Sequence, residues 1–170
     1  MKLNQILYIL AIFCFSFTVT SQSKVGTVNV NLIVSNLPDI VQVKSGIQNY
    51  EKQLQEDLKL KLKAYENEVE NANNAFETMS SEAKRKKQED IYKLEADIQK
   101  FRQNAAQLVQ LKQDELMRPL YKKVGDAISL IAKEEKYTQV LTLDGNELAY
   151  VDMSYDLTIK VANKLGVTIE

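Results

Sequence analysis

The fold is decided by residues 47–118, which read IQNYEKQLQEDLKLKLKAYENEVENANNAFETMSSEAKRKKQEDIYKLEADIQKFRQNAAQLVQLKQDELMR and contain neither glycine nor proline. Because these two residues are the poorest helix formers, their absence over 72 residues predicts long, uninterrupted helix. Apolar residues recur there at steps of three or four, the seam of a two-helix coiled coil. The ascending seam is Ile47, Tyr50, Leu54, Leu58, Leu62, Tyr65, Val69, Ala72, Phe76 and Met79; the descending seam is Ile91, Leu94, Ile98, Phe101, Ala105, Leu108 and Leu111.

The two seams mirror each other about Ser80 and Ser81, so contacting residues of an antiparallel pair should have numbers that add to about 160. Tyr65 with Leu94 and Leu58 with Phe101 satisfy this rule. A single continuous helix is the alternative, but residues 84–90 hold no apolar residue and would break its seam. Ser80 or Ser81 can instead cap a second helix, with Glu82 in its first turn. The pattern predicts a coiled-coil hairpin arm over 47–118, with a turn near 79–82 and helices of about 54 Å.

The segments that flank the arm have a different pattern. Alternating residues predict strands at about 24–31, 138–143 and 148–151, and residues 144–147 are typical of a hairpin loop between the last two. Ser154 is a candidate cap for a helix over 155–165, with Gly166 as its stop. Residues 24–46 and 119–170 therefore form one small body with little helix of its own, and the predicted class is α+β, mostly α. The predicted core or subunit contacts of this body are Val28, Val30, Val140, Leu141 and Leu143.

Two features concern how the body is built. Three short strands leave edges open, and association between subunits would close them. Pro119 lies where the descending helix re-enters the body. It should remove the backbone bond to the carbonyl of Glu115, and either a kink or a gentle surface bend would accommodate it.

The N-terminus resembles a secretory signal. Lys2 precedes an apolar run over 6–19, which is short for a membrane span, and small residues come before a predicted cut near Gln22. The only cysteine, Cys14, lies within that run, so the mature chain would contain no thiol. We therefore expect 1–22 to be a signal peptide and the mature protein to be exported.

Charge and composition limit the functional classes. Without Lys2 the chain holds 21 basic and 23 acidic residues, a net charge of −2. It therefore lacks the excess of basic residues that is expected of a nucleic-acid-binding protein. The chain has no histidine, no glycine-rich phosphate loop and no nucleophile elbow, so we expect neither an enzyme nor a cofactor or metal site. One basic cluster stands beside the predicted turn: Lys84, Arg85, Lys86 and Lys87. It is either a solubilising surface or a contact for anionic lipid or acidic clients.

Several segments together resemble the Skp (OmpH) family of periplasmic chaperones. They are the signal peptide, Val25 to Val30, the charged helical hairpin, Tyr137 to Asp144, Leu148 to Tyr150, and Asp156 to Thr158. The resemblance covers the mature chain, and the two body segments are its most specific parts. Family members often have strongly basic arms, whereas this chain has a calculated pI of about 5.7.

The resemblance implies a jellyfish-shaped homotrimer in the periplasm of a Gram-negative bacterium. Three arms would enclose unfolded outer-membrane β-barrel proteins without ATP, and anionic lipid or lipopolysaccharide would be a further contact. Candidate client contacts are apolar residues off the seam or near the tip: Leu60, Phe76, Met79, Tyr92, Val109 and Met117. The alternative is a structural or adaptor coiled-coil protein of the cell envelope.

Overall fold

A computed structural model describes residues 23–145 and 148–169. The predicted signal peptide, and Asn146 and Glu147 of the predicted loop, lie outside the described residues. The elements, in chain order, are β1 (Val25–Val28), α1 (Val30–Asn36), α2 (Ile40–Ala75), α3 (Ser81–Glu134), β2 (Gln139–Thr142) and α4 (Thr158–Lys164). The predicted class, α+β and mostly α with a helical hairpin on a small body, is confirmed.

Helices α2 and α3 form the predicted antiparallel hairpin. Ion pairs join the two helices from Lys61 to Asp97 at 2.5 Å and from Lys87 to Glu68, and Lys123 of α3 pairs at 2.8 Å with Asp39, the residue just before α2. The residue numbers of these pairs add to 158, 155 and 162, close to the predicted 160. At 1.5 Å per residue, α2 is about 54 Å long and α3 about 81 Å, because both helices continue from the arm into the body.

The turn between the two helices has the predicted cap. Helix α2 ends at Ala75, and a 3-10 turn over Phe76–Thr78 leads to an extended Met79. The Ser80 hydroxyl then accepts a hydrogen bond from the backbone N–H of Ala83 at 3.2 Å. The chain thus reverses over 76–80, slightly earlier than the predicted 79–82.

The body is more helical than predicted. Its core is a cluster of thirteen buried apolar residues: Val28, Ile33, Val34, Leu37, Val43, Leu120, Val124, Ala127, Ile131, Leu157, Val161, Ala162 and Val167. Every one belongs to 24–46 or 119–170, and most lie on α1, α4 and the body ends of α2 and α3. The prediction of a body with little helix was therefore wrong. The long helices supply the apolar surface that three short strands could not.

The predicted first strand is too long. Strand β1 stops at Val28 because the Asn29 side chain accepts a hydrogen bond from the N–H of Leu32 at 2.8 Å and caps α1. Val30 and Asn31 are consequently helical. An asparagine between two valines continues an alternating pattern, but it is also a strong helix cap, and here the cap prevails.

The predicted hairpin of two C-terminal strands is absent from the described residues. Strand β2 pairs in parallel with β1, in the register Val25 with Gln139 to Val28 with Thr142, and residues 148–151 belong to no strand. The end of β2 is tied to α1, because the Asp144 carboxylate accepts from the N–H of Asn31 at 2.9 Å and from the Thr142 hydroxyl at 3.2 Å. Gly26 of β1 has no room for a side chain, since a Cβ there would lie 2.8 Å from the Tyr137 ring.

The last helix is shorter than predicted but ends where predicted. It begins at Thr158, whose N–H and hydroxyl donate to Asp156, instead of at residue 155. At its end Gly166 has φ of +75°, and the N–H of Val167 bonds to the carbonyl of Ala162 at 2.9 Å. This is the Schellman arrangement that favours glycine. Helix α3, for its part, runs through Pro119 without ending there.

Candidate functional site

The arm exposes large apolar side chains to solvent. Within residues 47–118 only Leu54 and Ile98 are buried, so the seam is thin and partly open along its length. Four large side chains are more than half exposed: Tyr92 at 70%, Leu60 at 64%, Leu111 at 57% and Phe76 at 53%. Exposed apolar groups spread along a helical surface can contact a nonpolar partner at many weak points.

The six candidate client contacts occupy three kinds of position. Leu60, Phe76 and Tyr92 are exposed, as expected of residues that contact a partner. Met79 lines a hollow at the tip, and Val109 lines a larger one along the arm; both are half-buried. Met117 instead packs against the body core. Only the first three therefore form an open apolar surface in a single chain.

The sequence pattern does not predict that Leu111 is exposed, because the heptad pattern assigns this residue to the seam opposite Ile47. In the structure Ile47 packs against the body core, and Leu111 remains open to solvent. The signal that could have revealed this is the position of Ile47, next to the predicted end of the body. When a seam residue packs against the body core instead of the opposite helix, its expected partner on that helix stays exposed.

The four basic residues at the tip divide into two pairs. Lys84 Nζ lies 4.0 Å from the centroid of the Phe76 ring, and Lys87 bonds to Glu68 across the hairpin. These two hold the last turns of the arm together. Arg85 and Lys86 are exposed on the outer face of α3, so only the second pair is well placed for an external anion.

Acidic residues offset the tip charge. Residues 76–90 contain four basic and four acidic side chains. Lys93 donates a hydrogen bond to Glu89, which lowers the pKa of that carboxyl; its charge and, more weakly, that of Lys86 act in the same direction. The same contact raises the pKa of Lys93. The positive charge of the tip is therefore local, confined to the Arg85 and Lys86 side of α3.

The body has an apolar surface of its own. Tyr150 is 81% exposed and Met153 74%, and Ile159 and Leu141 are exposed as well. Of the predicted body contacts, Val28 is buried, Val30 and Val140 pack half-buried against the core, Leu143 is half-buried, and Leu141 is exposed. Leu141 is thus the member of that set that faces outward in the single chain.

The described residues form neither a metal-binding cluster nor a membrane-spanning helix. Among residues 23–145 and 148–169, no three histidine, cysteine or acidic side chains come together as they would to hold a metal ion. No helix in the same ranges is both long and apolar enough to cross a bilayer.

The comparisons with known proteins agree with this architecture. A family model described as "Outer membrane protein (OmpH-like)" matches residues 24–165, which covers the body and the whole arm. The chain belongs to the OmpH-like family. The resemblance to the Skp (OmpH) family is thereby confirmed.

A solved structure has the same fold. It is a candidate outer membrane chaperone (OmpH-like) from Caulobacter crescentus, with a TM-score of 0.57 and 17% sequence identity. The alignment covers 84% of this chain and 83% of that one. No curated protein matches the chain significantly. At this identity the likeness concerns the fold, while membership of the family rests on the match over 24–165.

Proposed function

We propose that this OmpH-like protein is an ATP-independent holdase chaperone of the Gram-negative periplasm. Its clients would be unfolded outer-membrane β-barrel proteins, held between the helical arms of a homotrimer. The observation that carries the proposal is the arm itself, a long hairpin with two buried residues and with large apolar side chains open to solvent. Family membership and the candidate chaperone with the same fold support it.

The surface of the arm suits the chemistry of such clients. An unfolded barrel strand alternates apolar and polar side chains, so one deep pocket cannot hold it. Weak contacts repeated along several arms give tight retention by avidity, without sequence specificity. Release requires no nucleotide, because each contact can be broken separately when the client finds a better environment.

The decisive experiment is suppression of aggregation. An outer-membrane β-barrel protein is diluted out of urea with a slight excess of the mature protein and no nucleotide, and light scattering is recorded. We expect scattering to be suppressed. Equal scattering with and without the protein would contradict the holdase proposal and favour an envelope adaptor.

A triple substitution tests the arm surface in the same assay. Exchanging Leu60, Phe76 and Tyr92 for Ser removes about 1 kcal/mol of apolar contact at each position, if each half-buries against the client. The concentration that gives half protection should rise at least tenfold. The matched control exchanges Gln53, Gln99 and Gln103, three exposed polar residues of the same helices, for Ser. An equal effect of the two triples would argue against an apolar client surface.

Anionic lipid or lipopolysaccharide is the further partner that we propose, with Arg85 and Lys86 as its contacts. A basic side chain near an anionic surface contributes about 1 kcal/mol, so exchanging both residues for Gln should weaken binding to phosphatidylglycerol vesicles about thirtyfold at low salt. Exchanging Lys84 and Lys87 should instead increase amide hydrogen exchange around residues 70–90, because those two lysines hold the tip together. Vesicle binding that is unchanged in the Arg85 and Lys86 variant would make these residues plain surface.

A further inference from the structure

One side of the arm contains a hollow that the seam does not fill. It has a volume of about 570 Å³ and lies between Leu54 and Leu58 of α2 and Phe101, Ala105, Ala106 and Val109 of α3. We call it the alanine hollow. It arises because two consecutive alanines stand one turn after Phe101 and one turn before Val109. The methyl groups of the alanines are too short to fill the space beside Leu54 and Phe101.

The floor and the rim of the alanine hollow differ in chemistry. The floor consists of leucine, phenyl, valine and alanine groups, so it favours a bulky apolar guest. Glu51 stands on the α2 rim and Arg102 on the α3 rim, and both are exposed. Neither forms a salt bridge with a described residue. An ionised carboxylate only accepts hydrogen bonds and a guanidinium only donates them.

This rim selects among guests. Because one rim residue is acidic and the other basic, their charges together attract neither an anion nor a cation. They do suit an extended peptide, which presents N–H donors and C=O acceptors along its edges. A fatty acyl chain could fill the floor, but it has no N–H group to offer to Glu51. An aromatic side chain has the size and shape for the floor, and aromatic residues form the girdles of membrane barrel strands.

We infer that the alanine hollow is a subsite that binds one aromatic side chain of an extended client segment, with the backbone of that segment between Glu51 and Arg102. The inference rests on the proposed holdase function and makes it more specific. Part of the free energy of client binding would then come from one defined site on the arm. Clients rich in aromatic residues would then be held more tightly than aliphatic clients of equal hydropathy.

The test uses the absence of tryptophan from this chain. A ten-residue peptide of alternating apolar and polar residues with one central Trp is titrated with the mature protein, and only the peptide contributes Trp emission. We expect a blue shift on binding. The same peptide with Ala in place of Trp, used as an unlabelled competitor, should compete at least tenfold less well than the Trp peptide.

Filling the hollow should abolish this preference. Ala105→Leu places three more carbons in the gap, and we expect peptide affinity to fall at least tenfold while the melting temperature stays equal or rises. The matched control is Ala96→Leu, an exposed position on the same helix, which should leave affinity unchanged. Arg102→Gln tests the rim without altering packing, and it should reduce affinity several-fold.

Each outcome decides the inference. Equal affinity of the wild type and Ala105→Leu, with both proteins folded by circular dichroism, would overturn it. Displacement of the Trp peptide by dodecanoate below its micelle concentration would assign the hollow to acyl chains instead. If aggregation of the barrel client is suppressed but the peptide preference is absent, the subsite fails and the holdase function stands. If suppression itself fails, the proposed function fails first.

Discussion

Replacing Ile33 by Ala is expected to lower the free energy of unfolding by about 3 to 4 kcal/mol, because the change leaves a cavity in a packed core. Ile33 has no exposed surface and lies on α1, which packs against both α3 and α4. The core of the body is small and its residues are held on several packed helices, so no neighbouring side chain can readily move to fill the space. Urea unfolding followed by helical circular dichroism, at fixed protein concentration, measures the loss.

The control for this prediction is the same kind of truncation on the arm. Leu60 is 64% exposed, so Leu60→Ala should change the unfolding free energy by less than about 0.5 kcal/mol. In the aggregation assay we expect Leu60→Ala to reduce client protection more than Ile33→Ala does, since Leu60 belongs to the proposed client surface and Ile33 does not face solvent. Equal stability losses at the two positions would contradict the division into a packed body and an open arm.

The arm could be predicted from the sequence because its signals are local and repeated. Seam residues recur every three or four positions over 72 residues, so an occasional misassignment, such as that of Leu111, leaves the register intact. The cap at Ser80 and the stop at Gly166 are also local, since each depends on one side chain or one backbone angle. Features of this kind need no knowledge of distant contacts.

The body could not be predicted in the same way, because distant contacts decide it. Asn29 starts a helix in part because its N–H donates to the Thr158 hydroxyl, 129 residues further on. Helix α3 ends at Glu134, and two residues later Lys136 has a φ of +58°, a conformation usually given to glycine, so no glycine marks this helix end in the sequence. The Tyr137 ring, under Lys24 at 3.8 Å, is instead part of a long-range contact that fixes this end.

The strand prediction for 148–151 leads to the second large effect. Tyr150 and Val151 have high strand propensity, yet residues 148–151 pair with no strand among the described residues, and Tyr150 is 81% exposed. The sheet of the described residues has only two strands, which is marginal on its own. In the proposed homotrimer, this segment would pair with a strand of a neighbouring copy and bury its apolar side chains there.

Substituting Asp for both Leu148 and Tyr150 should therefore convert the proposed trimer into monomers. Leu148 is 38% exposed and Tyr150 81%, so burying their remaining surface contributes about 3 kcal/mol at each interface, and the dissociation constant should rise at least about a hundredfold even before the cost of two buried carboxylates. Sedimentation velocity at micromolar concentration measures the mass, and circular dichroism checks that the helices remain. A monomeric wild type would contradict the assembly itself.

The arm again supplies a matched control for this test. Leu60→Asp with Tyr92→Asp adds the same charges at the same residue types on an exposed surface, so this variant should remain trimeric while losing client protection. The body variant should lose protection as well, because a single arm cannot provide avidity. If the body variant stays trimeric, the subunits must associate through another surface of the body. The exposed Ile159 on α4 would then be the next position to substitute.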